Sequence, residues 1–125
     1  DREATIPVGL ATDVAGGSSL SMFATMRTAY EISQLRGYSL HPAKAWHLAT
    51  VGSATAMRIA DKVGNLAPGM EADLIIIDLT STNLIRRRVA RAENIWDVLF
   101  AQMILADDRA IVATYVAGEP VYRQD

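Results

Sequence analysis

The chain has 125 residues, half of them hydrophobic and about a fifth charged, a globular composition long enough to bury one core without staples. Its 12 basic and 14 acidic side chains leave a net charge of −2, so no overall field recruits nucleic acid or an anionic membrane. No cysteine is present, which excludes disulfides and thiolate metal sites and is compatible with a cytoplasmic setting. The start, DREATIPVG, has no basic or apolar leader region and no initiator methionine, and it reads as a processed or truncated chain. Residues 6–11 are continuously apolar and predict a strand over 5–13, buried on both faces as in a parallel sheet. The loop Gly16-Gly17-Ser18-Ser19 follows. Met22, Met26, Ala29, Tyr30 and Ser33 then recur on one helical face, which predicts a helix over about 21–36 stopped by Gly37. Pro42 opens the next helical stretch, expected over 42–59 with a break or kink at Gly52.

Composition changes after Asp61. Gly64-Asn65 and Pro68-Gly69 are turn signals, and the aliphatic run Leu74-Ile75-Ile76-Ile77 predicts a central strand over 72–78. It is also the longest apolar run, far short of the roughly 20 residues that span a bilayer. A polar segment with Arg86-Arg87-Arg88 reads as a solvated surface run. Ile95, Val98, Leu99, Gln102, Met103 and Leu105 suggest a further helix ended by Asp107-Asp108. Two last strands, 111–117 and 121–123, are joined like a hairpin at Gly118-Glu119-Pro120 and complete one small antiparallel or mixed sheet. A single parallel strand with its helices cannot cover its own faces and edges, so the pattern reads as a piece of a larger fold.

Here the residues become specific. The stretch V-G-L-A-T-D-V-A-G-G-S-S-L-S-M (residues 8–22) resembles the eighth barrel strand of the metal-dependent amidohydrolase superfamily. The stretch V-G-N-L-A-P-G-M-E-A-D-L-I-I-I-D (residues 63–78) is similar to that superfamily's return from barrel to small β-sandwich. Val14-Ala15-Gly16-Gly17 and the ending A-D-D-R-A-I-V-A-T-Y-V-A-G (residues 106–118) most resemble the guanine deaminase family within it. The resemblance implies an α/β fold: the last strand-helix portion of an amidohydrolase (β/α)8 barrel over residues 1–61, then part of the small β-sandwich domain with one packed helix over 62–125. It implies part of a zinc-dependent hydrolase of purine breakdown that converts guanine and water to xanthine and ammonia; the alternatives are another deaminase or chlorohydrolase-type hydrolase of that superfamily, or a non-catalytic self-associating fragment. It also implies a homo-oligomer, which the uncovered strand edges favour independently.

Asp13 is the candidate catalytic residue. On its own, a carboxylate between an apolar run and a glycine loop either caps the turn toward water or faces something cationic. Resemblance implies the second: at the end of the eighth strand the family places a metal-ligating, proton-shuttling aspartate beside a zinc-bound water. Asp13 is therefore expected to be both the catalytic residue and a metal ligand. The chain's two histidines, His41 and His47, are six apart, which does not put them on one helical face, and neither is expected to ligate. A zinc site needs three protein ligands, so the isolated chain is expected to bind zinc weakly or not at all and to be inactive. The family's histidine ligands and most purine-reading residues would lie upstream of residue 1. Ser18, Ser19 and Ser21 lack a neighbouring base, and Gly16-Gly17 lacks the lysine of a phosphate loop. Met22, Phe23 and Met26 read as packing.

Overall fold

The computed structural model describes residues 6–124. Five helices and three strands follow one another as α1 (Met22–Leu35), α2 (Pro42–Ala49), α3 (Val51–Ala56), β1 (Leu74–Ile77), α4 (Asn83–Val89), α5 (Ile95–Leu105), β2 (Ile111–Val116) and β3 (Glu119–Arg123). A single 3-10 turn, Asp108–Ala110, joins α5 to β2.

Local chemistry accounts for most boundaries. Ser21 caps α1, and its side chain accepts from the Ala24 N–H. Gly37 ends that helix at φ +84°, where its N–H reaches the Gln34 carbonyl and the Tyr38 N–H reaches that of Ser33. These two bonds satisfy the otherwise orphaned last carbonyls. The stretch expected over 42–59 with a break or kink at Gly52 is two helices. The break falls at Thr50 (φ −127°, ψ −100°) and not at Gly52, which lies inside α3. Gly52 serves close approach instead: a Cβ there would stand 3.0 Å from the His47 carbonyl oxygen and 3.2 Å from that of Val8.

Phe23 and Met26 of α1, Ala45 of α2, Ile85 of α4 and Met103 of α5 form the buried core with Leu40, Ala106 and Ala110. Trp46 meets Phe23 edge-on and donates its indole N–H to the Leu99 carbonyl at 3.2 Å, which ties α2 to α5. The sheet order is β1-β2-β3, antiparallel throughout, as the three predicted segments required. Ala117 and Gly118 both stand at positive φ between Val116 and its partner Glu119. This is the two-residue hairpin geometry that matches strand twist.

Three expectations are corrected. The strand over 5–13 is not formed among the described residues, and residue 5 lies outside them. A strand exists only through its neighbours' backbone groups, and no other strand reaches this segment. It runs against α2 and α3 instead: the Leu10 N–H donates to the Leu48 carbonyl at 2.9 Å, and Ser53 Oγ stands 2.8 Å from the Leu10 carbonyl oxygen. Second, β1 is an edge and not a central strand, with Ile75 and Ile76 each nearly half exposed. Third, the polar segment with the arginines is helical. Thr82 caps it by accepting from the Ile85 N–H, and Ile85 is fully buried.

Candidate functional site

The chain enters the Asp13 turn from the extended segment and leaves it toward α1. Asp13 stands at φ +52° and Ala15 at φ +74°, two non-glycine residues in the left-handed region within one turn. Aspartate tolerates that region because of its short polar side chain; alanine does so at a cost of about 1–2 kcal/mol. The turn is closed by the Asp13 backbone carbonyl, which accepts from the N–H of Gly16 at 2.9 Å and of Gly17 at 2.5 Å. Glycine is required at 17, because a Cβ there would stand 1.9 Å from the Thr12 carbonyl oxygen. At Gly16 a Cβ would stand 2.7 Å from Asp13 Oδ2, so the carboxylate lies close over that backbone.

The backbone, and not the side chain, thus caps the turn. Among the described residues the Asp13 carboxylate accepts no hydrogen bond, and the residue is exposed. Beside it lies a hollow of about 240 Å³ lined by Gly17, Ser18, Thr25, Thr28, Ala29 and Ile32. The threonines come from the face of α1 opposite its core residues. Spacing Thr25, Thr28 and Ile32 at i, i+3 and i+7 is a signal the sequence contains, masked by the stronger apolar stripe beside it.

Among the described residues neither histidine converges on Asp13. His41 caps α2 through Nδ1, which accepts from the Ala43 N–H at 3.2 Å, and its ring meets Trp96 edge-on. His47 is exposed on α2 beside Lys44 and Val8. Ser19 and Ser21 are occupied at the start of α1, where Ser19 Oγ accepts from the Ser21 N–H. Among the described residues no three side chains of histidine, cysteine, aspartate or glutamate group to hold a metal ion. Asp13 is one oxygen donor, and a tetrahedral catalytic zinc needs three protein ligands. The described residues therefore do not fit a complete zinc centre.

A larger hollow of about 590 Å³ opens between Phe23, Met26, Trp46, Ile75 and Ile111, with Asp107 at its edge. It is apolar and does not include Asp13, so it offers packing surface and no converging chemistry. Asp107 is engaged by the Arg109 guanidinium at 2.6 Å. That hydrogen bond holds the Asp107 carboxyl below its ordinary range against a small opposing effect of burial.

The pattern of the Amidohydrolase family matches residues 2–121. Guanine deaminase of Escherichia coli (strain K12) is 39% identical over 120 residues, which are 96% of this chain and 27% of that protein. The solved structure of E. coli guanine deaminase superposes with a TM-score of 0.92 at 39% identity, covering 95% of this chain and 28% of that one. A guanine deaminase from Bradyrhizobium japonicum gives 0.86 at 27% identity, over 100% of this chain and 33% of its own. An adenosine deaminase from Xanthomonas campestris with bound zinc gives 0.64 at 27% identity, over 82% of this chain and 22% of its own. The chain thus spans little more than a quarter of the E. coli relative.

Proposed function

Because the chain belongs to the amidohydrolase family, we propose that it forms part of a zinc-dependent guanine deaminase and contributes Asp13 to that enzyme's active site. The observation that carries this reading is the carboxylate of Asp13, freed by a backbone-closed turn beside a hollow that Thr25 and Thr28 help to line. The similarity to two guanine deaminase structures supports the substrate. In the reaction, water adds at the amino-bearing ring carbon of guanine, ammonia leaves, and xanthine remains. Asp13 would be one of the residues holding zinc in the complete enzyme, where the metal would acidify water. Asp13's own chemistry is that of a carboxylate that ligates a cation or holds a proton at Oδ1 or Oδ2. Residues 1–61 would supply the last strand-helix portion of the barrel and residues 62–125 part of the small β-sandwich. The setting we assign is cytoplasmic.

The test compares this chain with a longer polypeptide that contains it, following xanthine formation with zinc present. The chain alone should show no turnover, and isothermal titration should find no tight one-to-one zinc site. In the active longer polypeptide, Asp13→Asn keeps the shape and loses the basicity, and should lower turnover by at least about 10²-fold with unchanged melting. Near-normal turnover by that variant would reduce Asp13 to a turn residue. The similarity to a zinc-bound adenosine deaminase favours a second reading, another deaminase of the same family. Faster turnover of a different amino-substituted base than of guanine would establish it.

A further inference from the structure

Helix α4 carries a feature that the deaminase reading leaves unused. Its inner face buries Ile85 against the core. On its outside, Leu84, Arg87, Arg88 and Arg91 follow at i, i+3, i+4 and i+7 and together line a hollow of about 330 Å³. Leu84 is 63% exposed, an aliphatic side chain at the start of this arginine-lined strip. Arg86, by contrast, is used internally, where it donates to Asn83 Oδ1 at 2.8 Å.

Among the described residues, Arg87, Arg88 and Arg91 have no carboxylate within ion-pair distance; the ion pair formed there is Arg109 with Asp107. Arg87 and Arg88 lie in the last turn of α4, and Arg91 follows two residues beyond its end at Val89. The negative helix C-terminus attracts cations in the last turn, which accounts for arginines at 86–88. It accounts neither for Arg91, beyond the helix, nor for an exposed leucine among the guanidiniums.

The geometry points to this outer face of α4 as a docking surface for an acidic protein segment that carries an aliphatic side chain. Guanidinium groups form paired hydrogen bonds with carboxylates, and Leu84 supplies an apolar contact that a phosphate backbone could not use. The lining holds no aromatic side chain on which bases could stack, which disfavours single-stranded nucleic acid. A seven-residue helix with one exposed leucine is too small an apolar face to lie in a membrane. This inference does not depend on the deaminase reading.

The probe is a fluorescein-labelled peptide, Glu-Glu-Leu-Glu-Glu, followed by anisotropy with this chain. Binding should saturate, weaken as salt rises, and fall by at least about tenfold in the double variant Arg87→Glu with Arg91→Glu. The neutral double variant Arg87→Gln with Arg91→Gln should show an intermediate loss. Circular dichroism checks that both keep the wild-type helix content, which their outward placement predicts. Replacing the probe's leucine by glycine, or Leu84 by serine, should also weaken binding. Absence of saturable binding at millimolar protein, or binding indifferent to both arginine variants, would overturn the proposal. Equal or tighter binding of oligo-dT or of phosphatidylserine vesicles would overturn it as well, because the face would then select charge alone.

Discussion

Ala15 carries left-handed strain that a glycine would not. Ala15→Gly should therefore raise the unfolding free energy measured in urea, by up to about 1 kcal/mol once glycine's larger unfolded-state entropy is subtracted. Gly17 is the opposite case. Gly17→Ala forces a Cβ into the Thr12 carbonyl and should distort the turn that frees the Asp13 carboxylate. In an active longer polypeptide its effect should appear in turnover before it appears in melting. His41 acts through its cap: His41→Ala should cost about 1 kcal/mol in denaturant unfolding, and His41→Asn should restore most of it. Asp107 gives the pH dependence. Its folded pKa is lowered by the Arg109 hydrogen bond, so the pair stabilises the fold above the ordinary carboxylate range and loses that contribution as pH falls through the folded value. The stability difference between wild type and Arg109→Ala should accordingly shrink below about pH 4. A difference that persists at pH 2 would locate the effect elsewhere.

At the scale of elements, α4 tests how much a short helix contributes through one side chain. Ile85 is fully buried among Met103, Leu40 and other core residues, and Ile85→Ala should cost about 2–5 kcal/mol in equilibrium unfolding. A cost below 1 kcal/mol would mean that the site collapses around the smaller residue. Reading the sequence missed this helix because three consecutive arginines dominate its composition, and the signals that remain are Thr82 as cap and the pair Ile85 and Val89 at i, i+4. Elements with their own periodicity or punctuation were legible. Helix α1 has both, and the hairpin expected at Gly118-Glu119-Pro120 exists but turns at Ala117-Gly118, with Glu119 and Pro120 already in β3. The break at Thr50 was displaced from Gly52 because a helical glycine permits close packing as readily as it ends a helix.

On the scale of the whole molecule, the described sheet leaves the outer edges of β1 and β3 unpaired, and Ile6, Val8 and Leu20 are largely exposed. Open edges and apolar side chains in water favour pairing with another copy. We expect a homo-oligomer through these edges, measured by sedimentation. A stable monomer at tens of micromolar would show that the two short edge strands are too small to hold a partner. The Pro120 of β3 works against association there, since it donates nothing to a new ladder. Edge pairing is accordingly expected first at β1.

Sequence alone determined much of what depends on neighbours in the chain: the inner faces of α1 and α5, the stop at Gly37, the three strands of the sheet, and Asp13 as the carboxylate to examine. Tertiary structure decided what depends on distant backbone groups. Whether residues 6–13 become a strand is set by other strands and not by their apolar side chains, and here Leu48 and Ser53 take the bonds of Leu10 instead. Whether Leu74–Ile77 is central or an edge is likewise set by what lies beside it. That the Asp13 backbone closes its turn and leaves the carboxylate free follows from φ angles at Asp13 and Ala15, which composition does not encode. Local propensity specifies elements; only the assembled fold specifies which polar groups are left for chemistry.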